Sequence, residues 1–335
     1  MSVGSTGGEP LLDVRGLVTE FRDGTARVVA NAGVSISLGR GRTLGVVGES
    51  GSGKSVLCRA LLRLIPSPPG HITAGEVRYR GRDLLTLGEP EMRRIRGTEI
   101  RMIFQNPMSS LNPVWPIGEQ ITEGLRVHFG MSARDARTRG IDLMTRVGIA
   151  SPEKRYGEYP HEWSGGMLQR AMIAMAMAGE PRLILADEPT TALDVTIQDQ
   201  ILSLLVELQE RTELAMILVS HDMAVVAETC DEVAVMYAGR IMEAAPTKNI
   251  FEQTRHPYTA GLLESLPTVY DEHGRLTPIP GQPPDMTGLG RGCPFADRCR
   301  FSSPDCASTP IALREVAAGH FSACLYPARL DDAAG

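Results

Sequence analysis

The fold class of this 335-residue chain is indicated by one glycine-rich segment, Gly48-Glu49-Ser50-Gly51-Ser52-Gly53-Lys54-Ser55. It fits the pattern of a glycine, four residues, a glycine, a lysine and a serine that marks a phosphate-binding loop. Glycines let successive backbone N–H groups turn toward phosphate oxygens, and the following helix presents its positive end. Lys54 is predicted to reach the β- and γ-phosphates of a nucleotide, and the Ser55 hydroxyl to bind Mg²⁺. An incidental glycine-rich turn is the alternative, but the flanking sequence favours a nucleotide site.

That flanking sequence alternates strand and helix signals. The apolar run Thr43–Val47 predicts a buried strand before the loop, and helical spacing over 55–65 predicts a helix after it. Further apolar runs predict buried strands at 100–104, 183–186 and 216–219. This alternation favours an α/β fold with a largely parallel sheet. Helical patterns over about 106–170 predict an insertion between two halves of the sheet.

Composition excludes several classes of protein. The chain has 34 Lys and Arg against 40 Asp and Glu, and its net charge of −6 argues against a general nucleic-acid binder. Its 42% apolar content argues against disorder. No apolar run reaches the ~18 residues that a membrane span needs. We therefore expect a soluble, cytosolic protein whose six cysteines do not form structural disulfides.

Polar side chains follow three of the predicted strands. Asp187 and Glu188 end one strand, where Asp187 is predicted to hold Mg²⁺ and Glu188 to deprotonate the attacking water. Gln105 follows another and is predicted to touch Mg²⁺ and that water, while His221 is placed to bond the γ-phosphate. Each residue alone fits an ordinary surface position. Because open α/β sheets bind ligands at the carboxyl ends of their strands, the convergence indicates a catalytic site.

A second glycine-rich step precedes a predicted helix at Trp163-Ser164-Gly165-Gly166-Met167-Leu168-Gln169-Arg170. Its N–H groups and positive helix end are suited to a phosphate group, although an ordinary helix cap at Ser164 is the simpler interpretation. One nucleotide needs only one phosphate-binding loop. The second step therefore indicates contact with the ATP of another subunit.

Six motifs occur in the order found in ABC transporter ATPase subunits, which the chain resembles over residues 11–265. They are GESGSGKS, Gln105, SGGM-x-QR, LILADEPT, Thr191-Ala192-Leu193-Asp194 and His221. The resemblance implies a P-loop NTPase fold with a RecA-like mixed sheet, an antiparallel β-subdomain and a helical insertion, here assigned to a domain at 1–265. It also implies ATP and Mg²⁺ as ligands.

The same resemblance implies how two subunits share ATP. Two such subunits sandwich the nucleotide, so that Ser164, Gly165 and Gly166 act on the partner's ATP and Asp194 lies at the interface. Phe21 is our candidate for stacking on adenine. Trp163 and Met167 replace the commoner Leu and Gln of the signature, and we expect this to tune activity without abolishing it.

The C-terminal sequence from His256 onward indicates which branch of the family the chain resembles, and residues 266–335 are assigned to a C-terminal extension. His256-Pro257-Tyr258-Thr259, Ser265-Leu266-Pro267 and the run from Gly292 to Cys299 resemble the C-terminal extension of oligopeptide, dipeptide and nickel importer ATPases. Four cysteines lie here: Cys293, Cys299, Cys306 and Cys324. Their spacing matches neither a zinc ribbon nor a ferredoxin run, yet four thiolates suit Zn²⁺ or a [4Fe–4S] cluster.

Some members of the resembled family are thought to carry a [4Fe–4S] cluster at this place, so the resemblance favours a cluster in a small cysteine-rich module. Zn²⁺ with His320 as a substitute ligand, and four unligated cysteines, are the alternatives.

These features predict an ATPase subunit of an ABC importer for dipeptides or oligopeptides. An importer of nickel or another small solute is one alternative, and a soluble ABC ATPase with a redox-sensing cysteine cluster is another. The expected partners are a second ATPase subunit, a paralogue in this family, with two membrane-spanning permease subunits and an extracytoplasmic binding protein. The chain would then lie on the cytoplasmic face of the membrane and contact the permease through residues near 105–121.

Overall fold

The computed structural model describes residues 9–24, 26–191, 193–266 and 278–330. Ala192 and Pro267, from two of the quoted motifs, lie outside these ranges. The chain divides into two compact units, and each is described by itself. Unit 1 comprises Met1–Thr86 and Ser220–Gly335, and unit 2 comprises Leu87–Val219.

Unit 1 contains an antiparallel sheet in the order β2-β1-β4-β5. Its strands are β1 (Leu12–Asp23), β2 (Ala26–Leu38), β4 (Gly70–Tyr79) and β5 (Arg82–Asp83). Apolar side chains on one face of the sheet are fully buried, including Val14 and Ile36, which are register partners. Burial of this face stabilises the sheet.

A second group of strands in unit 1 carries the phosphate-binding loop. β3 (Thr43–Val47) pairs in parallel with β9 (Glu232–Tyr237), and β10 (Arg240–Pro246) continues antiparallel from β9. The C-terminal strands β12 (His320–Ser322) and β11 (Arg314–Ala317) extend this group beyond β10.

Five helices complete unit 1 within the described residues. They are α1 (Lys54–Leu61), α9 (Met223–Thr229), α10 (Thr247–Glu252), α11 (Pro257–Glu264) and α12 (Pro304–Ser308). α1 starts within the loop motif and ends before the predicted residue 65, because Arg63 takes a left-handed conformation with φ +53°.

Unit 2 is built on a parallel sheet of β6 (Ile100–Ile103), β7 (Leu183–Asp187) and β8 (Ala215–Ser220). Every residue of β7 and β8 is buried, as their continuous apolar runs predict for a parallel sheet. The α/β class with a mixed sheet is therefore confirmed.

Helices surround and interrupt this sheet. α2 (Glu89–Thr98) precedes β6, and α8 (Val195–Thr212) follows β7. Five helices lie between β6 and β7: α3 (Pro107–Ser110), α4 (Ile117–Phe129), α5 (Ala133–Arg146), α6 (Pro152–Arg155) and α7 (Gly165–Met177). Among the helices of the described ranges, none is both long and apolar enough to span a bilayer.

Candidate functional site

The phosphate-binding loop follows β3 in unit 1, and its shape depends on two glycines. Gly48 and Gly53 have φ values of +150° and +102°, which favour glycine. A Cβ atom at Gly48 would lie 2.0 Å from the carbonyl oxygen of Met236, and one at Gly53 would lie 2.2 Å from that of Ala30. The backbone therefore packs too closely here for any side chain.

Lys54 is the first residue of α1 and is only 4% exposed. Its Nζ donates hydrogen bonds to the carbonyl oxygens of Gly48 and Glu49, at 2.7 and 2.9 Å. Ser55 follows on the helix and is half-buried. The loop thus holds a cation and a hydroxyl at the positive end of a helix, an arrangement suited to phosphate and Mg²⁺.

Two other predicted residues of unit 1 lie on separate elements. Phe21 is on β1, opposite Val28 of β2 and Gly70 of β4, and its ring is half-buried. His221 is exposed, between the end of β8 and Asp222, the N-cap of α9. Adenine stacking by Phe21 and phosphate contact by His221 stay predictions.

In unit 2, Glu188 follows β7 with its carboxylate held by two neighbours. Gln105 Nε2 donates to Glu188 Oε2 at 2.9 Å, and Thr191 Oγ1 donates to the same oxygen at 2.8 Å. Glu188 has φ +46°, a left-handed conformation that costs a non-glycine residue about 1–2 kcal/mol. Such strain is typical of functional residues. The structure thus brings Gln105 and Glu188 together and adds Thr191.

Asp187 is the last residue of β7 and is fully buried, paired in register with Val219 of β8. Carboxylate, amide and hydroxyl oxygens are ligands that Mg²⁺ accepts, so Asp187, Gln105 and Ser55 have the right chemistry. Across the described ranges, however, no three His, Cys, Asp or Glu residues form a group arranged to hold a metal ion.

The signature step begins α7 in unit 2. Ser164 is its N-cap and accepts a hydrogen bond from Met167 N–H at 3.4 Å, so the cap interpretation is confirmed. Ser164 and Gly165 are exposed, as a surface for another subunit requires. Trp163 is 7% exposed and donates from Nε1 to Glu158 Oε2 at 2.8 Å, so its replacement of Leu serves the packing of unit 2.

Asp194 caps the neighbouring helix α8. Its Oδ1 accepts from Ile197 N–H at 3.0 Å, and the residue is exposed. A Cβ at Gly166 would lie 2.8 Å from Cγ2 of Ile197, so the N-termini of α7 and α8 are adjacent. The signature and Asp194 therefore share one exposed surface of unit 2.

The four C-terminal cysteines line a single pocket in unit 1. Cys293, Cys299, Cys306 and Cys324 are half-buried and form no disulfide, and the empty volume that they border is about 380 Å³, including the open mouth. Burial raises the pKa of the Cys293 thiol to about 12. The four cysteines that the sequence analysis grouped therefore border one pocket.

A histidine also lines this pocket, but it is His256 and not His320. His320 is buried with its Nε2 2.7 Å from Glu243 Oε1, so the proposal of His320 as an alternative zinc ligand is wrong. His256 Nδ1 accepts from Tyr258 N–H at 3.0 Å, and its buried Nε2 has no hydrogen-bond partner. Burial lowers the pKa of His256 to about 4, so the ring is neutral with a proton on Nε2.

Comparison with known proteins agrees with these features. A family model described as ABC transporter matches residues 32–191, and one described as Oligopeptide/dipeptide transporter, C-terminal region matches 242–306. The chain is 48% identical over 328 residues to a Brucella melitensis protein named as a peptide import ATP-binding protein, covering 95% of this chain and 97% of the relative. It is 50% identical over 293 residues to the oligopeptide transport ATP-binding protein OppD of Bacillus subtilis, covering 87% and 82%.

Solved structures show the same fold. The ATP-binding cassette MJ0796, solved as a dimer in a post-hydrolysis state bound to ADP and Pi, aligns with a TM-score of 0.64 at 26% identity, over 70% of this chain and 98% of that one. This confirms the P-loop NTPase fold. Since the two relatives match over 97% and 82% of their length and both family models match in order, the chain belongs to the ABC transporter ATP-binding subunits that carry the oligopeptide/dipeptide transporter C-terminal region.

Proposed function

We propose that this protein hydrolyses ATP to energise an ABC importer of dipeptides or oligopeptides. The observation that carries the proposal is the joining, in one chain, of a phosphate-binding loop with a buried lysine and the C-terminal region of peptide transporters. Relatives named for peptide import point to the same solute class.

Each site residue has a proposed role in ATP hydrolysis. Lys54 and the loop N–H groups bind the phosphates, and Phe21 stacks on adenine. Glu188, oriented by Gln105 and Thr191, takes the proton of the attacking water, and His221 bonds the γ-phosphate. Ser55, Asp187 and Gln105 would hold Mg²⁺, which when bound offsets the phosphate charge.

The exposed signature surface supports a second ATPase subunit as partner, for which we propose a paralogue. Ser164, Gly165 and Gly166 would contact the partner's ATP, with Asp194 at the interface. Exposed apolar side chains at Met108, Val114 and Trp115, which are 60%, 73% and 44% exposed, support a contact between segment 105–121 and the two permease subunits. We infer a peripheral position on the cytoplasmic face of the membrane and an extracytoplasmic binding protein.

We further propose a domain division near residue 266 and a [4Fe–4S] cluster in the cysteine pocket, with Zn²⁺ as the alternative. The support for a metal group is that Cys293, Cys299, Cys306 and Cys324 line one pocket. Four thiolates suit a [4Fe–4S] cluster, in which each iron takes one thiolate. The unpartnered Nε2 of His256 supplies a hydrogen-bond donor for a pocket occupant.

Reconstitution tests the transport function. The chain is co-purified with its membrane partners and placed in vesicles with the binding protein. We expect ATP hydrolysis that rises with added dipeptide or oligopeptide, together with labelled peptide uptake. Nickel uptake without peptide uptake, or a stable ribosome or DNA complex without membrane partners, would overturn the proposal.

Anaerobic purification tests the cluster separately. Iron and sulfide analysis with visible absorbance should show a [4Fe–4S] cluster in the wild-type protein and its loss in Cys299→Ser. Colourless protein loaded with zinc would eliminate the cluster.

A further inference from the structure

Glu49, the second residue of the phosphate-binding loop, helps to hold Lys54 in place together with Gly48. Its carbonyl oxygen accepts hydrogen bonds from Lys54 Nζ at 2.9 Å and from Ser52 N–H at 3.2 Å. A change in the backbone at Glu49 would therefore move both the ammonium group and the turn that follows.

The other polar groups of Glu49 are held by the C-terminal part of the chain. Its N–H donates to Tyr258 Oη at 2.8 Å. Its carboxylate accepts two hydrogen bonds from Arg298, at 2.6 and 2.9 Å, across 249 positions of sequence. A two-pronged contact fixes both the distance and the plane of a carboxylate, which a lysine would not do.

Arg298 is itself held in place. Its side chain is 6% exposed, Nε donates to the carbonyl oxygen of Pro280 at 2.8 Å, and Nη1 donates to Tyr237 Oη at 3.1 Å. The rings of Tyr237, Tyr258 and Phe295 pack together beside it, with centroids 4.5–5.5 Å apart. Ion pairs between mobile surface side chains contribute little to stability. In the pair of Arg298 with Glu49, however, the arginine is buried and is held in place by its other contacts.

Arg298 also lies in the chain segment between two of the pocket cysteines, Cys293 and Cys299. It ends the 3-10 turn Ala296–Arg298, which is bounded by Cys293 and Cys299. Ala296 N–H donates to the carbonyl oxygen of Cys293, and Cys299 N–H donates to that of Ala296. The turn between two pocket cysteines therefore carries the guanidinium that binds the phosphate-binding loop.

We propose that Arg298 is a positioning residue for nucleotide binding: it holds the loop, through the Glu49 carboxylate, in the conformation that presents Lys54. Tyr258 fixes the adjoining backbone N–H. The inference rests on the nucleotide role proposed for the loop, and it makes nucleotide affinity depend on the C-terminal segment.

The chain offers a matched control for this contact. Arg300 makes a two-pronged ion pair with Glu264, at 3.1 and 2.6 Å, two residues further along the same segment. That pair has side-chain exposures of 57% and 36% and does not involve the loop. Arg300→Ala therefore removes a similar pair while leaving Glu49 in place.

The experiment measures the affinity of the full chain for a fluorescent ATP analogue with Mg²⁺, and KM and kcat for ATP in the complex with its partners. We expect Arg298→Ala to raise Kd and KM about tenfold, equivalent to about 1.4 kcal/mol, with kcat within about twofold. Arg300→Ala should bind like wild type. Because Arg298 acts through Glu49, Glu49→Gln combined with Arg298→Ala should be no weaker than Arg298→Ala alone.

Unchanged affinity in Arg298→Ala, or losses that multiply in the double variant, would overturn the inference. If Arg298→Ala does not fold, Arg298→Lys and Tyr258→Phe replace it in the experiment. We expect each of these variants to bind the ATP analogue about threefold more weakly than wild type. Wild-type affinity in both variants would overturn the inference. Lys54→Ala separates the two proposals. Intact binding in Lys54→Ala overturns the loop's proposed role, whereas lost binding there with intact binding in Arg298→Ala overturns only the positioning role.

Discussion

Glu188→Gln isolates the chemical step of ATP hydrolysis. The amide oxygen of glutamine can still accept from Gln105 and Thr191, which lie 2.9 and 2.8 Å from Oε2 in the wild-type protein. Weakening these two charge-assisted hydrogen bonds should lower the free energy of unfolding by about 1 kcal/mol. An amide cannot accept the proton of water, however, and loss of a general base slows turnover by about 10²–10⁴-fold. The barrier should therefore rise by about 3–5 kcal/mol.

Two measurements separate binding from turnover. The Kd for a fluorescent ATP analogue should stay within about twofold of wild type, because the role proposed for Glu188 is proton transfer and not nucleotide binding. Steady-state phosphate release should fall to about 1% of wild type or less. Glu213→Gln is the control, since Glu213 is an exposed glutamate of the same unit with a similar φ of +51°.

Two other outcomes would contradict the role of Glu188 as the general base. Undiminished phosphate release in Glu188→Gln would show that another group accepts the proton. Equal losses of phosphate release in Glu188→Gln and Glu213→Gln would show that the effect comes from replacing any glutamate with a positive φ. The loss could then not be assigned to the carboxylate of Glu188.

Two further predictions concern the loop and the signature. Gly53→Ala should abolish binding of the ATP analogue, because the new Cβ would lie 2.2 Å from the Ala30 carbonyl oxygen. Gly51→Ala is the comparison, because a Cβ there meets no atom within 4 Å. It should lower the free energy of unfolding by only about 1–2 kcal/mol. Trp163→Phe should lower the free energy of unfolding by at least about 1–2 kcal/mol, read from denaturant curves, since the Nε1–H bond to Glu158 is lost and the smaller phenyl ring leaves part of the buried indole space unfilled.

Local patterns predicted the strands and loop that carry the nucleotide chemistry. Thr43–Val47 forms β3 with the expected bounds, because a continuous apolar run between turn residues has few alternatives to a buried strand. β4 begins at Gly70. Pairing with β1 decides that start, since Phe21 is the register partner of Gly70, and no local propensity records such a pairing.

The candidate site was predictable where it depends on short motifs. Gln105 and Glu188 share a hydrogen bond, as expected from their places at strand ends. The contact of Arg298 with Glu49 was not predictable, because it joins two residues 249 positions apart and a lone arginine beside a cysteine has no distinctive pattern. His256 was not predicted as a pocket residue, because a lone histidine 37 positions before Cys293 has no distinctive pattern either. His320 is nearer in sequence to the last cysteine, but it is hydrogen-bonded to Glu243.

The place of Arg298 inside the turn between Cys293 and Cys299 has a thermodynamic consequence. Coupling between two sites is reciprocal. If a change at the cysteines weakens ATP binding by some factor, bound ATP lowers the equilibrium constant for that change by the same factor. Saturating nucleotide should therefore slow the loss of the proposed cluster from these cysteines. In a cell, the supply of ATP would then set how readily oxidants remove that cluster.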